Sequence, residues 1–200
     1  SSYRVLPPEF TEDMILKAPS KNIMNKLARS VLALYSYDDN PDEISIPNLL
    51  RHSFSLIARF PVLIANSYAS KRHYFDNQSL ILHNPVPEYS TAQNFLHLIR
   101  ADNKFTELEA EILDLALMLQ AEHGGGNNSA FTVHVLSSTG TDTYSAISAA
   151  VGSLKGPKHG GANDKMMSQM NEIKANVKNW EDKDEIYEYL KKILRKEAGD

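Results

Sequence analysis

Two stretches decide how the chain is read: Glu122-His123-Gly124-Gly125-Gly126-Asn127-Asn128-Ser129 and Lys155-Gly156-Pro157-Lys158-His159-Gly160-Gly161-Ala162-Asn163. Each is a histidine in a glycine-rich turn, and the two histidines are 36 positions apart. Before the first turn, Leu108, Ile112, Leu115 and Leu119 recur at a helical period over residues 106–121. Thr106 and Glu109 have the spacing of a capping box, in which hydroxyl and carboxylate satisfy each other's free amides. His123 therefore follows a helix C-terminus, where the negative end of the dipole favours an imidazolium and suits it to a carboxylate partner. His159 has the opposite setting. It follows Gly156-Pro157, which ends one helix, and precedes Met166, Met167, Met170 and Ile173, which begin to pattern another. A neutral imidazole is favoured there, able to donate a hydrogen bond to a carbonyl. Either histidine alone is more often a cap or a packed surface residue than a functional group.

Working outward, every patterned segment is helical. Ser20 is positioned to cap a helix with Ile23, Leu27, Val31 and Leu34 on one face. Asp38-Asp39-Asn40-Pro41 reads as a loop, and Pro47 suits the first turn of a helix running to about Arg59. Pro61 breaks or kinks that helix. The basic-aromatic run Lys71-Arg72-His73-Tyr74 reads as a solvated loop, and Pro85 and Pro87 as an extended connector. Ser90 or Thr91 caps a helix through Leu96, and Asn128 or Ser129 caps one through Leu136. Thr141 or Asp142 starts a helix with Tyr144, Ile147, Val151 and Leu154 on one face and many small residues elsewhere. That helix is either a buried central one or part of a subunit interface, since both need close packing. Asp182 or Asp184 caps a last helix with Ile186, Leu190, Ile193 and Leu194 inward. The fold class is all-α.

Composition narrows the function classes. Two hundred residues suit one domain. The net charge of −4 gives no extended basic face for nucleic acid. With no cysteine there is no disulfide, thiolate nucleophile or cysteine-held metal, which suits a reducing cytoplasm. No apolar run is long enough to span a bilayer, and Ser1-Ser2-Tyr3-Arg4 carries no signal-peptide pattern. The Gly156–Gly161 turn lacks the Gly-Lys-Ser/Thr ending of a phosphate-binding loop, no histidine pair has zinc spacing, and no Gly-x-Ser-x-Gly elbow occurs.

The first stretch resembles the His-Glu-Gly-Gly-Asn-x-Ser segment of citrate synthases. The second, Gly156-Pro157-Lys158-His159-Gly160-Gly161-Ala162-Asn163, is similar to that family's Gly-Pro-x-His-Gly-x-Ala-Asn turn at every position. Residues 51–68, with Ala58, Pro61, Ala65 and Tyr68, and Ala92-Gln93-Asn94-Phe95-Leu96 extend the likeness upstream. The resemblance implies a multihelical large domain of the citrate synthase fold. It also implies an acyltransferase reaction, in which an acyl-CoA thioester is enolised, attacks oxaloacetate, and the product thioester is hydrolysed. It implies that His159 is the catalytic donor to the thioester carbonyl, that His123 binds oxaloacetate, and that Asn127 and Ser129 support the site, Ser129 by fixing the tautomer of His159. Acetyl-CoA is then a substrate; no cofactor or metal is expected, and the partner is a second copy in a homodimer. The alternatives are a 2-methylcitrate synthase using propionyl-CoA, a non-catalytic helical dimerisation or regulatory module, and, more remotely, a citryl-CoA lyase domain.

The sequence departs from the family pattern in three places. Gln120 and Gly124 stand where many relatives have histidine and glutamate. Nothing within residues 1–200 matches the family's Gly-His-x-x-Tyr-x-x-x-Asp-Pro-Arg segment, its catalytic aspartate or its substrate arginines. The expectation is therefore that residues 1–200 are a single large domain without the small, CoA-side domain, and that this chain alone is inactive.

Overall fold

The computed structural model describes residues 2–122 and 124–198. All regular structure among these residues is helical. The chain forms two compact units, residues 1–154 and 155–200.

The axis of the first unit is α2 (Ile46–Asp76), named here with α1 (Ile23–Ala33) and α3 (Thr91–Ile99), which pack against it. Its 31 residues give a length of about 46 Å. Pro61 lies inside it, and of the expected break or kink the break does not occur: the helix runs through. The proline removes one backbone donor, and burial of Leu56, Val62, Leu63 and Ala65 on either side anchors both halves of the helix in the core. The same packing carries the helix past Lys71-Arg72-His73-Tyr74, which is therefore helical and not the expected loop. Asn77 ends it in a left-handed conformation at φ 54°.

Phe10, Ile15, Leu27, Val31, Leu34, Leu56, Leu63, Tyr144 and Val151 form the main core. Residues Thr11–Leu16 wind into one wide turn, with the Lys17 amide donating to Glu12 O at 3.0 Å, five residues back. Buried Lys26 seals that turn to α1: its Nζ donates to Met14 O and, at 2.7 Å, to Ala18 O. Burial, with a smaller push from Arg29, lowers its pKa to about 8. Asn22 and not Ser20 caps α1, accepting from the Asn25 amide at 2.8 Å, while Ser20 Oγ accepts from the Asn22 amide.

Three further helices complete this unit: α4 (Glu107–Leu119), α5 (Asn128–Ser137) and α6 (Thr143–Lys155). The Thr106–Glu109 capping box forms as its spacing predicts, and so does one between Ser90 and Gln93 at the start of α3. Leu108, Ile112, Leu115 and Leu119 share the expected helical spacing on α4, but they are exposed, Leu108 by 64% and Leu119 by 75%. An apolar cleft of about 610 Å³ opens between α2, α3, α4 and α6, lined by residues such as Phe60, Ile64, Phe95, Leu117 and Ile147.

The second unit holds α7 (Gly161–Asn176) and α8 (Lys183–Leu194). Asp182 caps α8, and Glu185 in its first turn accepts from the Lys178 and Asn179 amides at 2.8 and 3.0 Å. The expected inward face of α8 is not buried: Leu190 is exposed, and Leu194 is 84% exposed. One short helix against α7 has too little surface to cover a full apolar stripe.

Candidate functional site

The first histidine turn is built from both of its ends. On its N-terminal side α4 closes at Gln120, and the Ala121 amide donates to Met118 O at 3.2 Å. His123 itself lies outside the described residues. Gly124 then adopts φ +74°, a conformation that a side chain would strain. On the C-terminal side Asn127 is the helix cap, in place of the expected Asn128 or Ser129. Its Oδ1 accepts from the Ser129 and Ala130 amides at 2.8 and 3.1 Å. Asn127 fits because its own backbone is extended, at φ −65° and ψ 133°, while the next residue is already helical.

The two side chains after the cap reach across to α6. Ser129 Oγ donates to Ala150 O at 3.0 Å, and Asn128 Nδ2 donates to Ser153 Oγ at 2.7 Å. The frame of this turn is therefore α6. That helix packs within the first unit, burying Tyr144, Ala146, Ala150 and Val151.

A buried polar network fixes the other end of α6. Tyr144 Oη donates to Asp38 Oδ2 at 2.6 Å. Arg51 forks onto the same carboxylate at 2.9 and 2.6 Å, and the Asn40 amide donates to it at 2.9 Å. His52, fully buried, places Nδ1 3.2 Å from Thr143 Oγ1 and Nε2 2.9 Å from Arg51. Burial pushes the Asp38 carboxyl up, but the hydrogen bonds from Arg51, Tyr144 and Asn40 outweigh it and hold the group well below the usual carboxylate range. Burial, then the hydrogen bond to Asp38 and after it the Asp38 charge, pushes the Tyr144 phenol well above its ordinary value. Asp142 begins the helix, accepting from the Ser145 amide at 2.8 Å and its hydroxyl at 2.6 Å.

The second histidine turn is made by backbone. The amides of His159 and Gly160 both donate to Gly156 O at 3.0 Å, and α7 follows at Gly161. Gly160 occupies the cap position with no side-chain cap. His159 thus sits just ahead of a helix N-terminus, as the sequence predicts, and is partly buried.

The sequence profile described as "Citrate synthase, C-terminal domain" matches residues 1–199. The chain belongs to the citrate synthase family. It is 34% identical over 170 residues to a citrate synthase of Heyndrickxia coagulans, which covers 85% of this chain and 43% of that protein. It is 32% identical, with 85% and 44% covered, to a citrate/2-methylcitrate synthase of Bacillus subtilis. The chain thus spans less than half the length of these curated relatives. Among solved structures it resembles a citrate synthase from Thermoplasma acidophilum in a ternary complex with carboxymethyl coenzyme A and oxaloacetate. That match has a TM-score of 0.73 and 26% identity over 89% of this chain and 45% of that one. A citrate synthase from Pyrobaculum aerophilum gives a TM-score of 0.71 with 28% identity, over 88% of this chain and 43% of that one. The all-α fold of the described residues accords with this membership.

The described chain brings Asn127 and Ser129 together at the start of α5, and His159 lies in chain order after α6 and ahead of α7. Sequence reasoning missed the Asp38–Arg51–His52–Tyr144 network and the Asn128–Ser153 bond. Tyr144 and Asp38 are 106 positions apart, and no local pattern links them. Among the described residues, no three histidine, aspartate or glutamate side chains converge as metal ligands. No described helix is long and apolar enough to cross a membrane.

Proposed function

We propose that this chain is the large-domain half of a synthase that condenses an acyl-CoA with oxaloacetate and hydrolyses the citryl-type thioester, without metal or cofactor, in the cytoplasm. The observation that carries this reading is the Gly156–Asn163 turn, which holds His159 ahead of α7 by two backbone bonds to Gly156 O. In this reading His159 is the catalytic donor. Its ring meets the oxygen on which charge develops as the thioester enolises, where a preorganised donor contributes most. His123 takes the oxaloacetate carboxylate, while Asn127 and Ser129 hold the turn that bears it.

Proton removal from the methyl carbon requires a carboxylate base, and protonation of the oxaloacetate oxygen a second acid. Neither has a counterpart among the family motifs found in this chain, so residues 1–200 alone are expected to release no CoA thiol. Oxaloacetate-dependent thiol release by the purified 200-residue chain would refute the large-domain reading. In the protein that carries this chain, His159→Ala lowers turnover by about 10²–10³-fold; unchanged turnover removes His159 from the catalytic role.

Acetyl-CoA is the first choice of substrate. The Bacillus subtilis relative named for both products keeps propionyl-CoA as the alternative, and one methylene separates the two by only about 1–3 kcal/mol. We also propose a homodimer. The support is the exposed apolar face of α4 and α5, including Leu108, Ile112, Leu115, Leu119, Phe131 and Val135, which a second copy would cover.

A further inference from the structure

The side-chain bonds between α5 and α6 point to two positioning residues beyond the family motif. In the resembling segment His-Glu-Gly-Gly-Asn-x-Ser, the position between asparagine and serine is left open; here it is Asn128. We propose that Asn128 and Ser153 act as a paired positioning device for the turn that bears His123. The inference rests on the synthase reading for its functional consequence but not for its geometry.

The turn has an intrinsic need for such a device. Gly124, Gly125 and Gly126 follow one another, and among the described residues a Cβ added at Gly125 or Gly126 would meet nothing within 4 Å. One backbone bond, Asn127 N–H to Gly124 O at 3.3 Å, spans the glycines, and glycine has more freedom to lose than any other residue. The turn is held where it enters α5. Asn127 caps that helix locally, which fixes the first turn of α5 but does not by itself fix α5 against the rest of the fold. Two bonds do that. Ser129 Oγ donates to Ala150 O at 3.0 Å, and Asn128 Nδ2 donates to Ser153 Oγ at 2.7 Å.

The acceptors Ala150 and Ser153 are three residues apart, nearly one turn along α6, and the donors are adjacent on α5. Two such bonds resist rotation of α5 about its axis, which one bond does not. The serine hydroxyl at 129 falls on a motif position, so the orientation-fixing second bond is the one contributed by Asn128 and Ser153. Its far end is anchored in turn, because α6 is clamped at its start by Tyr144 on Asp38 and Thr143 beside His52.

Loss of the bond frees the turn locally and leaves the core untouched, since Asn128 is exposed and Ser153 only partly buried. The test is amide hydrogen exchange across residues 120–131 of the full 200-residue chain. Asn128→Ala and Ser153→Ala each raise exchange there by about three- to tenfold, the range expected for one net hydrogen bond. The double variant exchanges no faster than either single, Ser153→Thr keeps the hydroxyl and restores protection, and the thermal midpoint falls by no more than the few degrees that one net hydrogen bond is worth. Unchanged exchange, additive effects of the two substitutions, or a loss of protection spread over the whole first unit overturns the proposal.

A second arm reads function in the protein that carries the chain. There Asn128→Ala raises the KM for oxaloacetate by a similar factor while kcat stays within twofold, a split that general destabilisation does not give. If the unmodified protein shows no oxaloacetate-dependent turnover, the synthase reading fails, while the exchange experiment still decides whether Asn128 and Ser153 position the turn. If exchange responds as expected in a working synthase but KM does not, the pair holds the turn without serving the site, and its functional consequence is refuted.

Discussion

Replacing Tyr144 by phenylalanine isolates one bond of the network under α6. The ring stays, with its edge contact to Tyr35 at 6.4 Å and its tilted contact to His52 at 5.1 Å between centroids. Only the hydroxyl that donates to Asp38 Oδ2 at 2.6 Å is lost. Asp38 is not left unpaired, because Arg51 still forks onto both oxygens and the Asn40 amide still donates. The cost is therefore that of one hydrogen bond to a charged group, about 1.5–3 kcal/mol, and not the larger penalty of a stranded buried charge. For a chain of this length that is a fall of about 3–12 °C in the thermal midpoint, at 2–4 °C per kcal/mol. The assay is thermal unfolding of four chains: unmodified, Tyr144→Phe, Asp38→Asn and the double variant. The two single effects overlap by most of the Tyr144→Phe cost, because removing either partner breaks the same bond. The pH dependence adds an independent check. The folded carboxyl of Asp38 lies below its unfolded value, so its contribution is present above about pH 4 and is lost as pH falls further. A shift under 1 °C for Tyr144→Phe, or strict additivity with Asp38→Asn, refutes the account of α6 as clamped through this bond.

Other perturbations follow from the same geometry. Asn127→Ala removes the acceptor for two amides at the start of α5 and lowers stability by about 1 kcal/mol, read by denaturant midpoint; Asn127→Asp retains most of it. Lys26→Met alters the alkaline response. The pKa of Lys26, about 8 in the fold against an ordinary 10.5, means that the unfolded chain holds the extra proton between those values. Stability therefore gains from this group as pH rises through that window, and melting curves at pH 7.5 and 10 should show that gain only in the unmodified chain. Leu115→Glu with Leu119→Glu puts charge on the exposed face of α4 and converts the proposed dimer to monomer in sedimentation at micromolar concentration. A monomeric unmodified protein under the same conditions removes the dimer proposal.

The features legible in the sequence are those that a side chain settles within its own turn. The Thr106–Glu109 box, the Ser90 cap and the Asp182 cap each pair a side chain with an amide two or three residues away, so spacing alone reveals them. At the start of α5 the same reasoning failed by one or two residues, because Asn127, Asn128 and Ser129 are all competent caps. The choice depends on where the glycine turn releases the chain. The run from Lys71 to Tyr74 was misread because its polarity suits a loop, while its helical state comes from the length of α2 already packed against α1 and α3. The stripes on α4 and α8 show the converse limit. Period identifies the helix, but whether the stripe is covered depends on what else is present to cover it.

The two histidine turns are held by different means, and this separates the ways in which each can fail. The turn after α4 is secured by side chains: Asn127 on its own helix, Asn128 and Ser129 on α6. Conservative substitutions there should loosen it in graded steps, one hydrogen bond at a time. The turn after α6 is secured by the backbone, with two amides converging on Gly156 O and no side-chain cap on α7. Replacing Lys158 leaves both bonds in place, whereas a residue change that alters the path of Gly156-Pro157 removes both together. Tolerance to side-chain exchange at His159's neighbours, with intolerance to backbone change at 156 and 157, is the pattern expected of a turn whose path is set by two backbone bonds to Gly156 O.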